Sequence, residues 1–320
     1  MHTAGDFIMD TIVEQVVFCE DAAAVCESVA RLLRRIESRL SFFKPGSDIR
    51  MLNDAAGTGA PVPIGADALC VLLAALEYSE KSGGAFDVTA APLMECWRNA
   101  AAMGNDKAPG EDELSAAKNL VGYDGLYVYP ENSTAMLAKK GAAVDLGGIA
   151  KGYAADLAVG LYMTMGAQAA LINLGGNVKT LGKKPDGQPW IVGMQDPDRE
   201  RGEFFGILRV GEVSAVTSGG YERFSVIGTK KYHHIIDPVS GIPSVSGLIS
   251  ATVIARESMR ADALSTAAFI LGRERAMELL ENYPGTEAVL MDDERRIWLT
   301  GGAREVWSPA PGCEQPVYLM

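Results

Sequence analysis

The pattern that most narrows the fold of this 320-residue chain is the kind of β structure that lies between its helices. Apolar residues recur at helical spacing in "DAAAVCESVARLLRRIESRL", in "ADALCVLLAALEYSEKSGG", which Gly83-Gly84 closes, and in "KGYAADLAVGLYMTMGA". "RADALSTAAFILGRERAMELLENYPG" reads as two more helices broken near Gly272. Between them the β-rich segments come mostly as hairpins. "LYVYPENSTAMLAKKGAAVDLGG" contains one and "ALINLGGNVKTLGKKPDGQPWIVGMQD" another. "MDTIVEQVVFCE" reads as a strand, and "GILRVGEVSAVTSGG", "RFSVIGTKKYHHIIDP", "ISATVIA" and "EAVLMDDERRIWLTGG" add more. Single strands alternating with helices build a doubly wound parallel sheet. Helices alternating with hairpins predict an α+β fold instead. There is no repeat and no low-complexity linker, and the length suits one large domain or two moderate ones.

Composition removes several function classes. The net charge of −12 argues against a nucleic-acid surface, which needs clustered Lys and Arg, although a local site on an acidic protein can still take an anionic ligand. No apolar run approaches the roughly 20 residues of a membrane span. "MHTAGDFIMD" has no basic region followed by an apolar stretch, so the expectation is a cytoplasmic protein as written, or a periplasmic or membrane-anchored one if a leader was removed. Cys19, Cys26, Cys70, Cys96 and Cys313 are scattered without a C-x-x-C and read as reduced and structural. His2, His233 and His234 are too few and too poorly spaced for a histidine-based metal site.

Chemistry concentrates in four stretches. In "RESMRADALSTAAFILG", Asp262, Ser265 and Thr266 share one face of an otherwise apolar helix. Either the hydroxyls bond back to carbonyls one turn earlier while Asp262 serves the first helical turn, or the three oxygens await a hard cation. Magnesium takes few protein carboxylates and the phosphates of a substrate. Asp262 would supply the carboxylate, Thr266 a hydroxyl, and a glycine turn a backbone carbonyl. "AAVDLGGIAKGYAAD" reads as a strand ending in a glycine pair before a helix. That is either a plain tight turn or a phosphate-contacting loop, with Lys151 a surface lysine or a phosphate partner. It is neither a P-loop nor a G-x-G-x-x-G loop. Asp87 in "GGAFDVTAAPL" either faces solvent on an alternating strand or meets a ligand. "VTSGGYERF" and "KKYHHIIDPVSGIP" flank a hairpin with the turn "GTKK". If the second is a strand, His233 and His234 point opposite ways, and either can be structural or a general base.

Together these stretches resemble the ApbE family of FAD:protein FMN transferases. The resemblance runs in order through "MDT" at 9–11, "RLSFFKPGSDIRMLN" at 39–53, "GAFDVTAAPL" at 84–93, "VDLGGIAKGYAAD" at 144–156 and "LINLGGNVKTLG" at 171–182. It continues through "VTSGGYERF" at 216–224, "HIIDPVSGIP" at 234–243 and "ATVIARESMRADALSTAAFILG" at 251–272. Asp10 stands where the family usually has glycine, and Phe43 where tyrosine is common. Neither departure falls on the metal positions or on His234.

The resemblance implies a single domain over 1–320, divisible into two interleaved subdomains, with T-fold-type antiparallel sheets, packed helices and FAD in a cleft between the subdomains. It implies magnesium-dependent transfer of the FMN half of FAD to a threonine or serine hydroxyl of a target protein, a flavin-carrying redox subunit, with release of AMP. FAD is the substrate and Mg2+ the cofactor. By similarity, Met9, Phe43, Ala85, Phe86, Asp87, Asp145, Lys151 and Ile236 fall at FAD-contacting positions. The carbonyl of Gly148, with Asp262, Ser265 and Thr266, falls at the metal positions, and His234 at the reacting hydroxyl. Two alternatives stand beside this: an FAD pyrophosphatase giving FMN and AMP, and a non-catalytic flavin-binding protein.

Overall fold

The computed structural model describes residues 1–102 and 107–320. These form two compact units interleaved along the chain. One takes residues 1–37, 149–219 and 247–320, the other 38–148 and 220–246. Among the described residues no helix is long and apolar enough to cross a membrane.

The first unit is built on a nine-stranded sheet. In spatial order its strands are His2–Ile8, Thr11–Phe18, Ala169–Leu174, Asn177–Leu181, Ser214–Gly219, Leu248–Ala255, Glu287–Asp292, Ile297–Leu299 and Val317–Leu319. All neighbours pair antiparallel except the last two, and three of the pairs are hairpins: the first two strands, Ala169–Leu174 with Asn177–Leu181, and Glu287–Asp292 with Ile297–Leu299. Residue alternation sorts the two faces. On Ser214–Gly219, Ala215 faces a core shared with Trp190, Met194, Phe205, Leu208, Val289 and Met291, which a second sheet of Trp190–Gln195, Phe204–Val210 and Trp307–Pro309 completes. Ser214 and Ser218 face the other way and meet the helix Ser258–Leu271 through Ser258 and Ser265. That helix packs beside the helix Ala150–Thr164. Their approach is so close at Gly152 that a Cβ there would stand 2.4 Å from the Ser258 carbonyl oxygen.

The second unit holds the helices Asp48–Asp54, Ala66–Lys81, Ala91–Ala102 and Glu111–Lys118. Val62–Pro63, Thr134–Leu137 and Leu126–Tyr129 make a small sheet, and Phe224–Ile227 pairs with Lys230–His233 in a hairpin. Leu93, Trp97, Ala117, Ile236 and the hairpin's Ile227 form one buried hydrophobic cluster of this unit.

The α+β expectation and the five anticipated helices agree with this architecture. Four local readings are corrected. Met9 and Asp10 form a two-residue turn after an unanticipated strand, His2–Ile8, instead of starting one. Their φ values of 56° and 60° define the left-handed pair that suits a hairpin, a conformation aspartate tolerates better than most non-glycine residues. Residues 142–145 are irregular, not a strand, because their backbone is fastened elsewhere: Asn53 bonds the Val144 backbone in both directions. Asp87 lies in a turn instead of an alternating strand. The hairpin loop is Gly228-Thr229 alone, since Lys230 and Lys231 already pair with Ile227 and Val226.

Candidate functional site

In the first unit the structure gathers Lys151, Asp262, Ser265 and Thr266 where the two packed helices meet the sheet. Asp262 is buried, and its Oδ2 accepts a hydrogen bond from the Gly152 backbone N–H at 2.8 Å. It therefore serves the first turn of the neighbouring helix, not of its own. Burial raises the Asp262 carboxyl above its ordinary value; Lys151, the Gly152 N–H and the Asn177 amide oppose this without cancelling it. The Asn177 amide nitrogen is buried and has no hydrogen bond of ordinary geometry, while its oxygen accepts from the Ser258 hydroxyl at 2.7 Å.

The two hydroxyls part ways. Ser265 donates to the Asp262 carbonyl at 2.9 Å and shares a 2.9 Å bond with Ser218, so its oxygen is committed within the fold. Thr266 makes only long bonds, 3.5 Å to the Asp262 carbonyl and 3.3 Å to Ser218, and is half-buried. Lys151 is the second residue of the helix Ala150–Thr164, where cations are out of place for the helix dipole but suited to an anionic ligand. Met9 lies in the first hairpin turn. At the same end of the sheet, the Gly175-Gly176 turn comes so close to Thr11 that a Cβ on Gly175 would overlap its hydroxyl.

In the second unit, Ala85, Phe86 and Ile236 bury their side chains, so contacts to a ligand would come from their main chain. Asp87 accepts from the Thr89 N–H at 2.8 Å and hydroxyl at 2.7 Å through one oxygen, and from the Tyr123 N–H at 3.0 Å through the other. Burial nevertheless raises its carboxyl above the ordinary value. Asp145 bonds the Gly147 N–H at 2.7 Å and so sets the turn that carries Gly148, while its own N–H donates to the Val88 carbonyl at 2.8 Å. Phe43 is exposed, edge-on to Phe42 and beneath the Arg98 guanidinium.

His234 is exposed, just past the strand that His233 ends. Its Nδ1 lies 3.0 Å from the Arg223 carbonyl oxygen. A carbonyl only accepts, so Nδ1 carries the proton of this bond. Asp237 accepts from the Val239 and Ser240 N–H groups and so closes the following turn. His233 is half-buried, bonds the Ser244 carbonyl at 3.0 Å through Nε2, and titrates below the ordinary histidine value because of its burial.

Sequence reasoning assigned no role to Asn177, Ser218, Asp156 or Lys179, although all four surround Asp262 or its helix. All four stand inside the quoted motifs as polar residues beside buried neighbours, which is the signal that could have found them. A groove of about 460 Å3 lined by His2, Asp6, Cys26, Glu27, Arg31 and Arg34 holds none of the sequence-predicted residues.

A model of the ApbE family matches residues 9–290. An FAD:protein FMN transferase of Treponema pallidum is 33 % identical, with 94 % of this chain and 87 % of the relative covered. One of Klebsiella pneumoniae is 32 % identical over 89 % of this chain and 88 % of its own length. The crystal structure of the ApbE protein of Thermotoga maritima matches with a TM-score of 0.86 at 29 % identity, covering 95 % of this chain and 98 % of that one.

Proposed function

Since the chain belongs to the ApbE family, we propose that it transfers the FMN half of FAD to a threonine or serine hydroxyl of a target protein and releases AMP, with Mg2+ as its cofactor. The observation that carries this reading is the buried Asp262 carboxylate with the half-buried Thr266 hydroxyl one turn on, beside the helix start that bears Lys151.

The donor set fits a hard cation. Its only charged member, Asp262, is buried with incomplete compensation, and Thr266 is held loosely enough to turn its oxygen. Asp262, Thr266 and the Gly148 carbonyl would hold the ion, and the committed Ser265 hydroxyl would act by fixing the helix around them. When bound, Mg2+ supplies charge neutralisation on the diphosphate and on the departing AMP.

The remaining work falls to the chain itself. Phosphoryl transfer is mostly positioning and charge stabilisation. Lys151 and the N–H groups opening the helix Ala150–Thr164 attract phosphate oxygens. The acceptor hydroxyl gives its proton to His234 Nε2 as its oxygen forms the new bond to the FMN phosphorus. The phosphorus–oxygen bond to AMP breaks, and AMP leaves with that electron pair. Proton acceptance of this kind is worth about 10²–10⁴ in rate. The exposed Phe43 ring and the main chain around Ala85, Phe86 and Ile236 would hold the flavin, with Met9, Asp87 and Asp145 at the other family positions. The T-fold character of the sheets and a cleft for FAD belong to the same proposal.

The test is incubation with FAD and Mg2+, with and without a flavin-carrying redox subunit as acceptor, following AMP and protein-bound flavin. Acceptor-dependent AMP with flavin fixed to a threonine or serine is expected. His234→Ala should keep FAD binding and lose about two orders of magnitude in transfer. Equal AMP without acceptor would make the protein a pyrophosphatase, and no AMP at all a flavin binder.

A further inference from the structure

The helices Ala150–Thr164 and Ser258–Leu271 exchange carboxylates. Asp262, from the second, accepts the Gly152 N–H in the first turn of the first. Asp156, from the first, accepts the Ser258 N–H at 2.8 Å through Oδ1 and the Met259 N–H at 2.9 Å through Oδ2. The residue at the N-cap of the second helix, Glu257, makes no side-chain capping bond, so Asp156 supplies the cap from another element. Lys179 secures Asp156. It projects from the strand Asn177–Leu181, only 8 % exposed, forms an ion pair with Asp156, and donates to the Arg256 carbonyl at 2.9 Å. One strand thereby serves both carboxylates. Two residues earlier, on the same face, Asn177 bonds Ser258 and favours the ionised Asp262.

An ordinary cap would need none of this. A serine or aspartate at 257 could satisfy the same N–H groups without burying a lysine. What the exchanged carboxylates add is registration. The start of each helix is fixed by a side chain of the other, at the point where Gly152 lets the backbones touch. Asp262 stands one turn beyond the capped end, so any slip of that end moves its carboxylate.

We propose that Asp156 and Lys179 are positioning residues for the divalent-cation site: they hold the helix Ser258–Leu271 in the register that presents Asp262 and Thr266 to the ion. The inference rests on the cation reading of the proposed function. Partners that orient a ligand in this way typically carry a 10–100-fold share of metal affinity.

The test compares the parent with Asp156→Asn and Lys179→Met, and with Lys179→Arg as the conservative variant. Three readouts are taken: Mg2+ binding by calorimetry, the thermal shift produced by Mg2+, and the Mg2+ dependence of AMP release at saturating FAD. Asp156→Asn and Lys179→Met should weaken Mg2+ binding about tenfold or more and shrink the thermal shift. Their turnover should recover toward the parental kcat at high Mg2+, with the KM for FAD within about twofold, and Lys179→Arg should restore most of the affinity. Melting without Mg2+ records any loss of stability separately, and Lys179→Met keeps the test open if Asp156→Asn fails to fold. Variants that are less stable yet bind Mg2+ like the parent would make the pair purely structural and overturn the inference alone. A parent that binds no Mg2+ would overturn the cation reading and this inference with it.

Discussion

Asp87 and Asp262 are both carboxylates that burial makes harder to ionise, and their neighbours separate their roles. Asp262 keeps oxygen capacity beyond its single backbone N–H. Asp87 has both oxygens engaged by Thr89 and Tyr123, so it ties two turns of its unit together. This gives Asp87 a pH signature. Its folded-state pKa is raised, so the folded protein holds that proton more tightly than the unfolded chain does. Ionisation therefore costs stability as pH climbs from the ordinary value near about 3.9 through the raised one, and the cost vanishes below that range. Asp87→Asn removes this dependence. It also imposes a constant loss on the order of 1–3 kcal/mol, because an amide NH2 would face the Tyr123 N–H. Melting temperatures compared between about pH 4 and pH 7 should show the variant gaining on the parent as pH rises. A gap that is constant in pH, or that widens against the variant, would count against the assigned shift.

At the scale of elements, one helix contains two glycines with opposite expected behaviour. Gly152 meets the Ser258 carbonyl and the Met259 Cα within 2.6 Å of where its Cβ would be, and both are backbone atoms that cannot swing aside. Gly160, two turns on, has open space. Gly160→Ala should stabilise the protein by roughly 0.5–1 kcal/mol through helix propensity. Gly152→Ala should destabilise it by about 1–3 kcal/mol, because overpacking outweighs the same propensity gain. On the proposed cation site it should also weaken Mg2+ binding by displacing the N–H that holds Asp262. Urea unfolding of the two variants side by side checks the sign. A stabilised Gly152→Ala would mean that the helices do not meet as described.

At the scale of the whole molecule, the chain leaves the first unit twice and returns each time to its central sheet. The strand Leu248–Ala255 comes from the last return, yet it stands between Ser214–Gly219 and Glu287–Asp292 and packs under the helix Ser258–Leu271. A fragment of residues 1–246 would end at the unpaired edge of Ser214–Gly219, with six of the fourteen buried residues of the shared core missing. Such a fragment should lack a cooperative thermal transition in circular dichroism, whereas the full chain should show one. A cooperatively melting fragment would mean that the early strands form a complete core alone.

Periodicity read from the sequence was enough for five of the helices and most hairpins, because spacing of apolar residues and glycine turns are local properties, although it missed the 12-residue helix Ala91–Ala102. The oxygen-bearing face of Asp262, Ser265 and Thr266 was equally legible, since three- and four-residue spacing fixes a helical face. What each side chain does with its position was not. Ser265 and Thr266 look alike in sequence, yet Ser218 from a strand 47 residues away engages one closely and the other loosely. Asp262 was expected either at a cation or at the start of its own helix, and it bonds the start of another. The strand expected at 142–145 gave way to bonds with Asn53, 91 residues earlier. Local pattern determines which elements form and which faces they present. The partners of a buried polar atom are set by chain segments distant in sequence, because such an atom must find its hydrogen bonds wherever packing has brought donors and acceptors together.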